Sequence, residues 1–308
     1  MFNSFIDDFK NAWNRPNNAV MQLIFINVII FLVMAVLWVL TSITGFGDFG
    51  QKILIQLFYI PASFGEFIYR PWTIITYAFA HNLEDIFHIL FNMLFLYWFG
   101  KLILEYLGSD RVISIYINGA IAGAVLYLLA YNFIPFYIER TPGWGMIGAS
   151  AAVDAIVVAA ATLLPNYTFH LLLLGPVRIK YIAAFVVVMS FIQSTGGNAG
   201  GNIAHLGGAF MGWLYIVQLQ KGTDLGRWVF AVRSFFIGLF KPKPKIKVTY
   251  KKSDTTSSSS SKSTSTSGSK ADKASQDEID RILDKISEKG YSSLSKEEKQ
   301  KLFDASKK

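Results

Sequence analysis

Five polar side chains interrupt stretches of this sequence that are otherwise apolar. Ser150 and Asp154 lie in GMIGASAAVDAIVVAAA, His88 and Asn92 lie in IFHILFN, and His205 lies in NIAHLGGAF. Residues four positions apart share one face of a helix, so His88 and Asn92 are predicted to lie on the same face. Ionisable side chains inside a membrane helix are costly, and by default they mark a functional site.

These residue types support acyl transfer. Ser150 becomes an effective nucleophile when a base within hydrogen-bond reach takes its proton, and His205 can be that base. The tetrahedral intermediate then needs hydrogen-bond donors, which His88, Asn92 and the backbone N–H of Ser150 could supply. Gly148 would let the backbone come close to the substrate carbonyl.

A metal-dependent hydrolase is the competing interpretation of two histidines in a membrane. Such an enzyme normally needs three protein ligands, often in an H-E-x-x-H motif on a helix, and the sequence contains no such motif. The chain also has no cysteine, which excludes disulfides, thiolate metal sites and a cysteine nucleophile. We therefore predict neither a metal nor a cofactor.

The length and composition of the chain predict the elements that position these residues. Of the 308 residues, 52% are hydrophobic, and the mean hydropathy of +0.37 is high for a soluble domain of this size. A helix needs roughly 20 residues to cross the hydrocarbon core of a bilayer. Apolar runs of this kind predict an all-α, polytopic membrane protein with six transmembrane helices, near residues 19–42, 86–107, 112–134, 146–164, 177–193 and 202–220.

Six spans place both termini on one side of the membrane, and the basic residues near the short loops indicate which side. Lys and Arg concentrate on the loops that share a side with the termini, so both termini are predicted to be cytoplasmic. His88, Ser150 and His205 then lie at a similar depth, with Ser150 about one turn below the outer surface. His81 and His170 fall away from this level and are predicted to be interfacial.

The ends of the chain are polar and predict separate segments. The net charge is +8, and the segment from Lys241 onward holds 17 Lys and Arg against 10 Asp and Glu. Because the rest of the chain is therefore nearly neutral, no nucleic-acid partner is implied. Two capping boxes, Ser275 with Glu278 and Ser295 with Glu298, predict a small helical module. The predicted organisation is a cytoplasmic segment at 1–18, a six-helix membrane domain at 19–224, an interfacial amphipathic helix at 225–240, a basic and then Ser/Thr-rich linker at 241–274, and a cytoplasmic helical module at 275–308.

The motifs in the apolar segments resemble those of the rhomboid family of intramembrane serine proteases over roughly residues 70–220. The resemblance rests on HILFN with His88 and Asn92, GAS with Ser150, AHLGGAFMG with His205, Gly208 and Gly212, and EYLGSDR at the end of the second span. The Gly208-x-x-x-Gly212 spacing is expected to let span six approach span four closely. The implied fold is a rhomboid-like bundle of six helices whose active site opens to the outer side.

The resemblance also implies a function. It implies a serine endopeptidase that cleaves transmembrane segments of membrane proteins through an acyl-enzyme, with Ser150 as nucleophile and His205 as general base. The resemblance also implies that His88, Asn92 and Gly148 stabilise the oxyanion. The implied partners are transmembrane substrates and the lipid bilayer, and the implied location is a bacterial inner membrane, because the tail is similar to a module found on some bacterial rhomboids.

Asp154 departs from the family pattern, which commonly has an aromatic residue one turn after the nucleophile. It either hydrogen-bonds His205 and stabilises the imidazolium, or is neutral because of burial, or is hydrated in the cavity. Ala151 stands where the family usually has glycine, and the first loop offers YRPW instead of a Trp–Arg pair.

Two other functions compete with the protease. The main alternative is a catalytically inactive relative that binds transmembrane helices; such relatives typically lack the serine or the histidine, whereas Ser150 and His205 are both present. A small transporter is the third interpretation. Internal repeats are not evident in the sequence, and the polar groups gather at one level instead of crossing the bilayer.

Overall fold

The computed structural model describes residues 10, 11, 13–141, 143, 145–171, 175–240 and 270–305. The chain separates into two compact units, Met1–Lys243 and Pro244–Lys308. In the first unit the helices are α1 (Ala19–Ile43), α2 (Gly47–Phe58), α3 (Phe64–Phe67), α4 (Thr73–Thr76), α5 (Ile86–Leu107), α6 (Ser109–Phe133), α7 (Pro135–Ile138), α8 (Ser150–Leu163), α9 (Ile179–Ile192), α10 (Ala199–Gln220) and α11 (Arg227–Phe240). An antiparallel hairpin of β1 (Thr168–Leu171) and β2 (Gly175–Arg178) lies between α8 and α9.

The helical bundle predicted from the apolar runs is confirmed. Within the described residues, three helices are long and apolar enough to cross a membrane, namely α1, α5 and α6. Helices α8 and α9 are also apolar but shorter, and α10 extends over 22 residues. Each of the six predicted apolar runs therefore contains one of these helices.

Helix α8 lies at the centre of the bundle, where it packs against α5, α6, α9 and α10. Most of its 14 residues are buried, and many of them are alanine, whose small side chain lets neighbouring backbones come close. Glycine has the same effect on α10. A Cβ atom at Gly208 would collide with the carbonyl oxygen of Ala151, and one at Gly212 would collide with that of Ala155. The close approach of α8 and α10 therefore depends on these two glycines.

The start of α8 differs from the prediction. The apolar run suggested a start near Met146, whereas the helix begins at Ser150. The preceding segment is extended: Met146 pairs with Ile60 in an isolated β-bridge, and the N–H of Gly148 donates to the carbonyl of Tyr77 at 3.0 Å. Gly148 has φ +141°, a conformation that L side chains rarely adopt and that a helix cannot contain. Ser150 is consequently the first residue of its helix.

Buried hydrogen bonds hold the connection between α1 and α5 on the bundle. The hydroxyl of Tyr116 on α6 donates to the carbonyl of Ala78 at 2.6 Å and accepts from the amide of Asn27 on α1 at 3.1 Å. The hydroxyl of Tyr77 donates to the carbonyl of Ala120 at 2.7 Å. Tyr77 also holds the segment before α8, so these contacts fix the backbone that leads into the helix carrying Ser150.

The hairpin of β1 and β2 was not predicted, because the apolar run around it reads equally well as the start of a helix. Its register pairs Thr168 with Arg178 and His170 with Pro176. His170 is exposed and lies outside the buried core, as expected for a residue away from the polar cluster.

The second unit is a helical hairpin of α12 (Lys270–Lys289) and α13 (Lys296–Ala305). The capping box at the start of α13 is present: the N–H of Glu298 donates to the hydroxyl of Ser295 at 3.2 Å, and the N–H of Ser295 donates to the carboxylate of Glu298 at 2.8 Å. The prediction of a capping box at Ser275 and Glu278 is wrong. Ser275 lies inside α12, because the five residues before it, KADKA, are compatible with a helix and extend it.

Candidate active site

Ser150 and His205 are in direct contact. Ser150 is the first residue of α8 and His205 lies in the second turn of α10, and the distance from His205 Nε2 to Ser150 Oγ is 2.6 Å. This distance is within the range over which a general base can take the proton of a serine hydroxyl. The contact exists because the glycines of α10 bring the two helix backbones together.

The other ring nitrogen of His205 also has oxygen neighbours. Nδ1 lies 3.3 Å from the hydroxyl of Ser190 on α9 and 3.5 Å from the carboxylate of Asp154 on α8. Both residues are buried, with exposed fractions of 5% for Ser190 and 8% for Asp154. Ser190 was missed in the sequence, because a single serine in an apolar helix normally bonds its own backbone and carries no functional signal.

His88 and Asn92 lie on the side of the site formed by α5. The amide of Asn92 donates to the carbonyl of His88 at 3.0 Å, and the carboxylate of Asp85 caps α5 by accepting from the N–H of His88 at 3.0 Å. A Cβ atom built on Gly148 would lie 3.3 Å from His88 Nε2 and 3.5 Å from Ser150 Oγ. The imidazole of His88 and the hydroxyl of Ser150 thus flank the same glycine.

A pocket of about 440 Å³ joins these groups. Its polar lining consists of Asp85, His88, Asn92, Ser150, Asp154, Ser190, Gln193, Asn202 and His205. The structure therefore brings together the polar residues singled out in the sequence and adds Ser190. Within the described parts of the chain, no group of three or more His, Cys, Asp or Glu side chains has an arrangement suited to a metal ion.

His81 lies in the connection before α5, as predicted. It is fully buried within the protein, and its ring packs edge-on against that of His88 with 5.7 Å between centroids. Burial, and to a smaller degree the neighbouring His88, lower the pKa of His81 to about 3. It is held in an irregular segment between α4 and α5, so no helical periodicity links it to the site.

The apolar helical bundle, in which a serine and a histidine are in hydrogen-bond contact, defines the class of polytopic helical membrane proteins. Comparison with known sequences gives the family. The Rhomboid domain family matches residues 69–221, and the chain belongs to the rhomboid family. A second family, a family of unknown function (DUF6576), matches residues 269–308.

The curated relatives of the chain are rhomboid proteins of eukaryotic organelles. The mitochondrial RHOMBOID-like protein 12 of Arabidopsis thaliana is 33% identical over 165 residues, which are 50% of this chain and 48% of that protein. The mitochondrial Rhomboid protein 1 of Saccharomyces cerevisiae is 30% identical over 225 residues, 72% of this chain and 59% of that protein. The chloroplastic Rhomboid-like protein 16 of Arabidopsis thaliana is 26% identical over 165 residues, 50% of each chain.

The chain spans about half the length of these curated relatives. Family membership and the apolar helices make it a multi-pass membrane protein. None of the three relatives is bacterial, so they give no support to the bacterial membrane implied by the tail.

Proposed function

We propose that this protein is an intramembrane serine endopeptidase that cleaves the transmembrane segments of other membrane proteins. The observation that carries the proposal is the 2.6 Å contact between His205 Nε2 and Ser150 Oγ. A relative that only binds helices has no need of an activated serine. The retained contact therefore favours catalysis over the inactive alternative.

The chemistry follows the usual course of acyl transfer. His205 takes the proton of Ser150 as Oγ attacks the substrate carbonyl carbon, which forms a tetrahedral intermediate with a negative oxygen. The side chains of His88 and Asn92 and the backbone at Ser150 donate to this oxygen, and Gly148 leaves room for it. The protonated His205 then gives its proton to the leaving amine, and water hydrolyses the acyl-enzyme.

The borders of the pocket indicate how a transmembrane substrate reaches Ser150. Phe87 and Phe91 on α5 and Phe185 on α9 line the pocket, and their exposed fractions are 69%, 54% and 65%. Exposed aromatic side chains at this position of a membrane protein contact lipid, so the pocket opens to the bilayer between α5 and α9. A substrate helix would approach from that side.

The proposed organisation and orientation rest on the sequence. We place the protease domain at 19–224, an interfacial helix at 225–240 and a cytoplasmic module at 275–308, with both termini on the cytoplasmic side because the basic loops lie there. The similarity of the tail to a bacterial module is the support for a bacterial inner membrane. Reporter fusions at the two ends, expressed in bacterial cells, test the orientation and insertion together.

A fluorophosphonate probe tests the catalytic proposal, since it reacts only with an activated serine. We expect the detergent-solubilised protein to be labelled, and Ser150→Ala and His205→Ala to abolish labelling while the thermal unfolding temperature stays close to that of the wild type. A folded wild type that is not labelled would contradict the proposal and favour a protein that binds transmembrane helices without cutting them.

A further inference from the structure

We propose that Asp154 and Ser190 are positioning residues that hold His205 in the tautomer required for catalysis. This inference rests on the proposed function of Ser150 and His205. It adds a carboxylate and a hydroxyl, from two different helices, as neighbours of the catalytic histidine.

The requirement for such residues follows from the protonation of the ring. His205 Nε2 must be free to accept the proton of Ser150, so in the resting enzyme the hydrogen of the neutral imidazole must be on Nδ1. A buried N–H without an acceptor is unfavourable, because it loses its hydrogen bond to water and gains none in the protein. Without an acceptor near Nδ1, the competing tautomer with the hydrogen on Nε2 would be favoured, and His205 could not act as a base.

The structure places two acceptors at Nδ1. The hydroxyl of Ser190 lies 3.3 Å away and the carboxylate of Asp154 lies 3.5 Å away. The oxygen of Ser190 is within hydrogen-bond range, whereas that of Asp154 lies at its limit. We therefore assign the hydrogen bond from Nδ1–H to Ser190 and a mainly electrostatic effect to Asp154.

The position of Asp154 makes its charge useful during the reaction. A carboxylate buried in an apolar helix bundle is costly unless it is paired, and Asp154 forms an ion pair with His205 only when the imidazole is protonated. When His205 takes the proton of Ser150 it becomes an imidazolium, and the carboxylate 3.5 Å from Nδ1 stabilises that cation. Ser190 orients the neutral ring, and Asp154 stabilises the charged one.

The two contributions can be separated by substitution. Asp154→Asn keeps the size of the side chain and removes its charge, and Ser190→Ala removes the hydroxyl acceptor. Ser194→Ala is the matched control for the serine, because Ser194 is equally buried but donates to the carbonyl of Phe191. Asp110→Asn is the control for the carboxylate, because Asp110 pairs with Arg233 outside the site.

The kinetics of fluorophosphonate labelling of the full-length protein measure the effect. In this reaction Ser150 Oγ forms a bond to phosphorus, the phosphorus–fluorine bond breaks, fluoride leaves, and His205 Nε2 takes the proton. The maximal rate kinact reports the base, and KI reports the pocket. We expect kinact to fall about tenfold or more in Asp154→Asn and in Ser190→Ala, with KI within about twofold of the wild type, below the roughly 10⁴-fold loss seen when a directly bonded aspartate is changed.

Each outcome has a distinct meaning. If both variants keep the wild-type kinact while Ser150→Ala is unlabelled, the positioning role is wrong and the dyad stands. A wild type that is not labelled removes the proposed function as well. A change confined to KI or to the unfolding temperature assigns the residues a structural role and overturns the inference. Should one variant fail to fold, the kinact of the other decides, since each acceptor is expected to have its own effect.

Discussion

At the scale of the single residue, the position of Ser150 at the very start of α8 has chemical consequences. The first N–H groups of a helix have no acceptor within the helix, and the aligned peptide dipoles place partial positive charge at this end. A nucleophile in the middle of the helix would have neither advantage. The extended conformation at Gly148, which delays the helix to Ser150, therefore favours an oxyanion forming beside the nucleophile.

Asn92 provides a test of the oxyanion site. Its amide already donates to the carbonyl of His88, and a second N–H of the same amide remains for the oxyanion. Removal of one such donor typically lowers the maximal rate by about 10²–10³-fold. We expect Asn92→Ala to lower kinact for the fluorophosphonate into this range, and Asn166→Ala, which removes an exposed amide bonded to Lys180, to leave it unchanged. An unchanged kinact in Asn92→Ala would exclude a role for this amide.

His81 provides a pH-dependent prediction. Because burial lowers its pKa to about 3, the unfolded chain binds a proton below pH 6.5 that the folded protein does not bind until about pH 3. The folded state therefore loses stability as the pH falls through this window, by about 2 kcal/mol between pH 7 and pH 5. We expect the unfolding temperature of the wild type to fall over this range and that of His81→Gln to fall less. Equal decreases in the two proteins would show that His81 is not the responsible group.

At the scale of the element, the apolar runs of the sequence were sufficient to locate the helices but not to predict where each helix begins and ends. Hydrophobic runs located α1, α5, α6, α8, α9 and α10, because length and apolarity alone determine whether a segment crosses a bilayer. The start of α8 depends instead on a backbone contact between Gly148 and Tyr77, more than seventy residues apart in the chain. Such long-range hydrogen bonds have no local signal in the sequence.

The contact between α8 and α10 gives a prediction for the two elements that carry the site. A side chain at Gly208 would collide with the carbonyl of Ala151 and push the helices apart. We expect Gly208→Val to abolish fluorophosphonate labelling and to lower the unfolding temperature, since the Ser150–His205 contact requires this approach. Gly238→Ala is the control, because no described residue lies within 4 Å of a Cβ atom at that helical position. Normal labelling of Gly208→Val would contradict the dependence of the site on this packing.

At the scale of the whole molecule, the residues of the candidate active site all lie in one of the two units. The residues recognised in the sequence, Ser150, His205, His88 and Asn92, all belong to the unit Met1–Lys243, and so does Ser190, which only the structure revealed. The first four were found because polar side chains stand out in apolar helices. Ser190 was not found, since a contact between side chains on different helices is defined by the folded packing.

This distribution predicts the effect of removing the second unit. Deletion of residues 253–308 takes away the Ser/Thr-rich stretch and the hairpin of α12 and α13, and it leaves in place every described residue that lines the pocket of the candidate site. We expect the truncated protein to be labelled by the fluorophosphonate with kinact and KI within about twofold of the full chain. The same comparison with a transmembrane substrate in cells tests regulation, because a tail that controls access would change substrate cleavage while leaving the small probe unaffected. A change in kinact itself would show that the tail acts on Ser150 or His205 and would contradict the assignment of catalysis to the first unit alone.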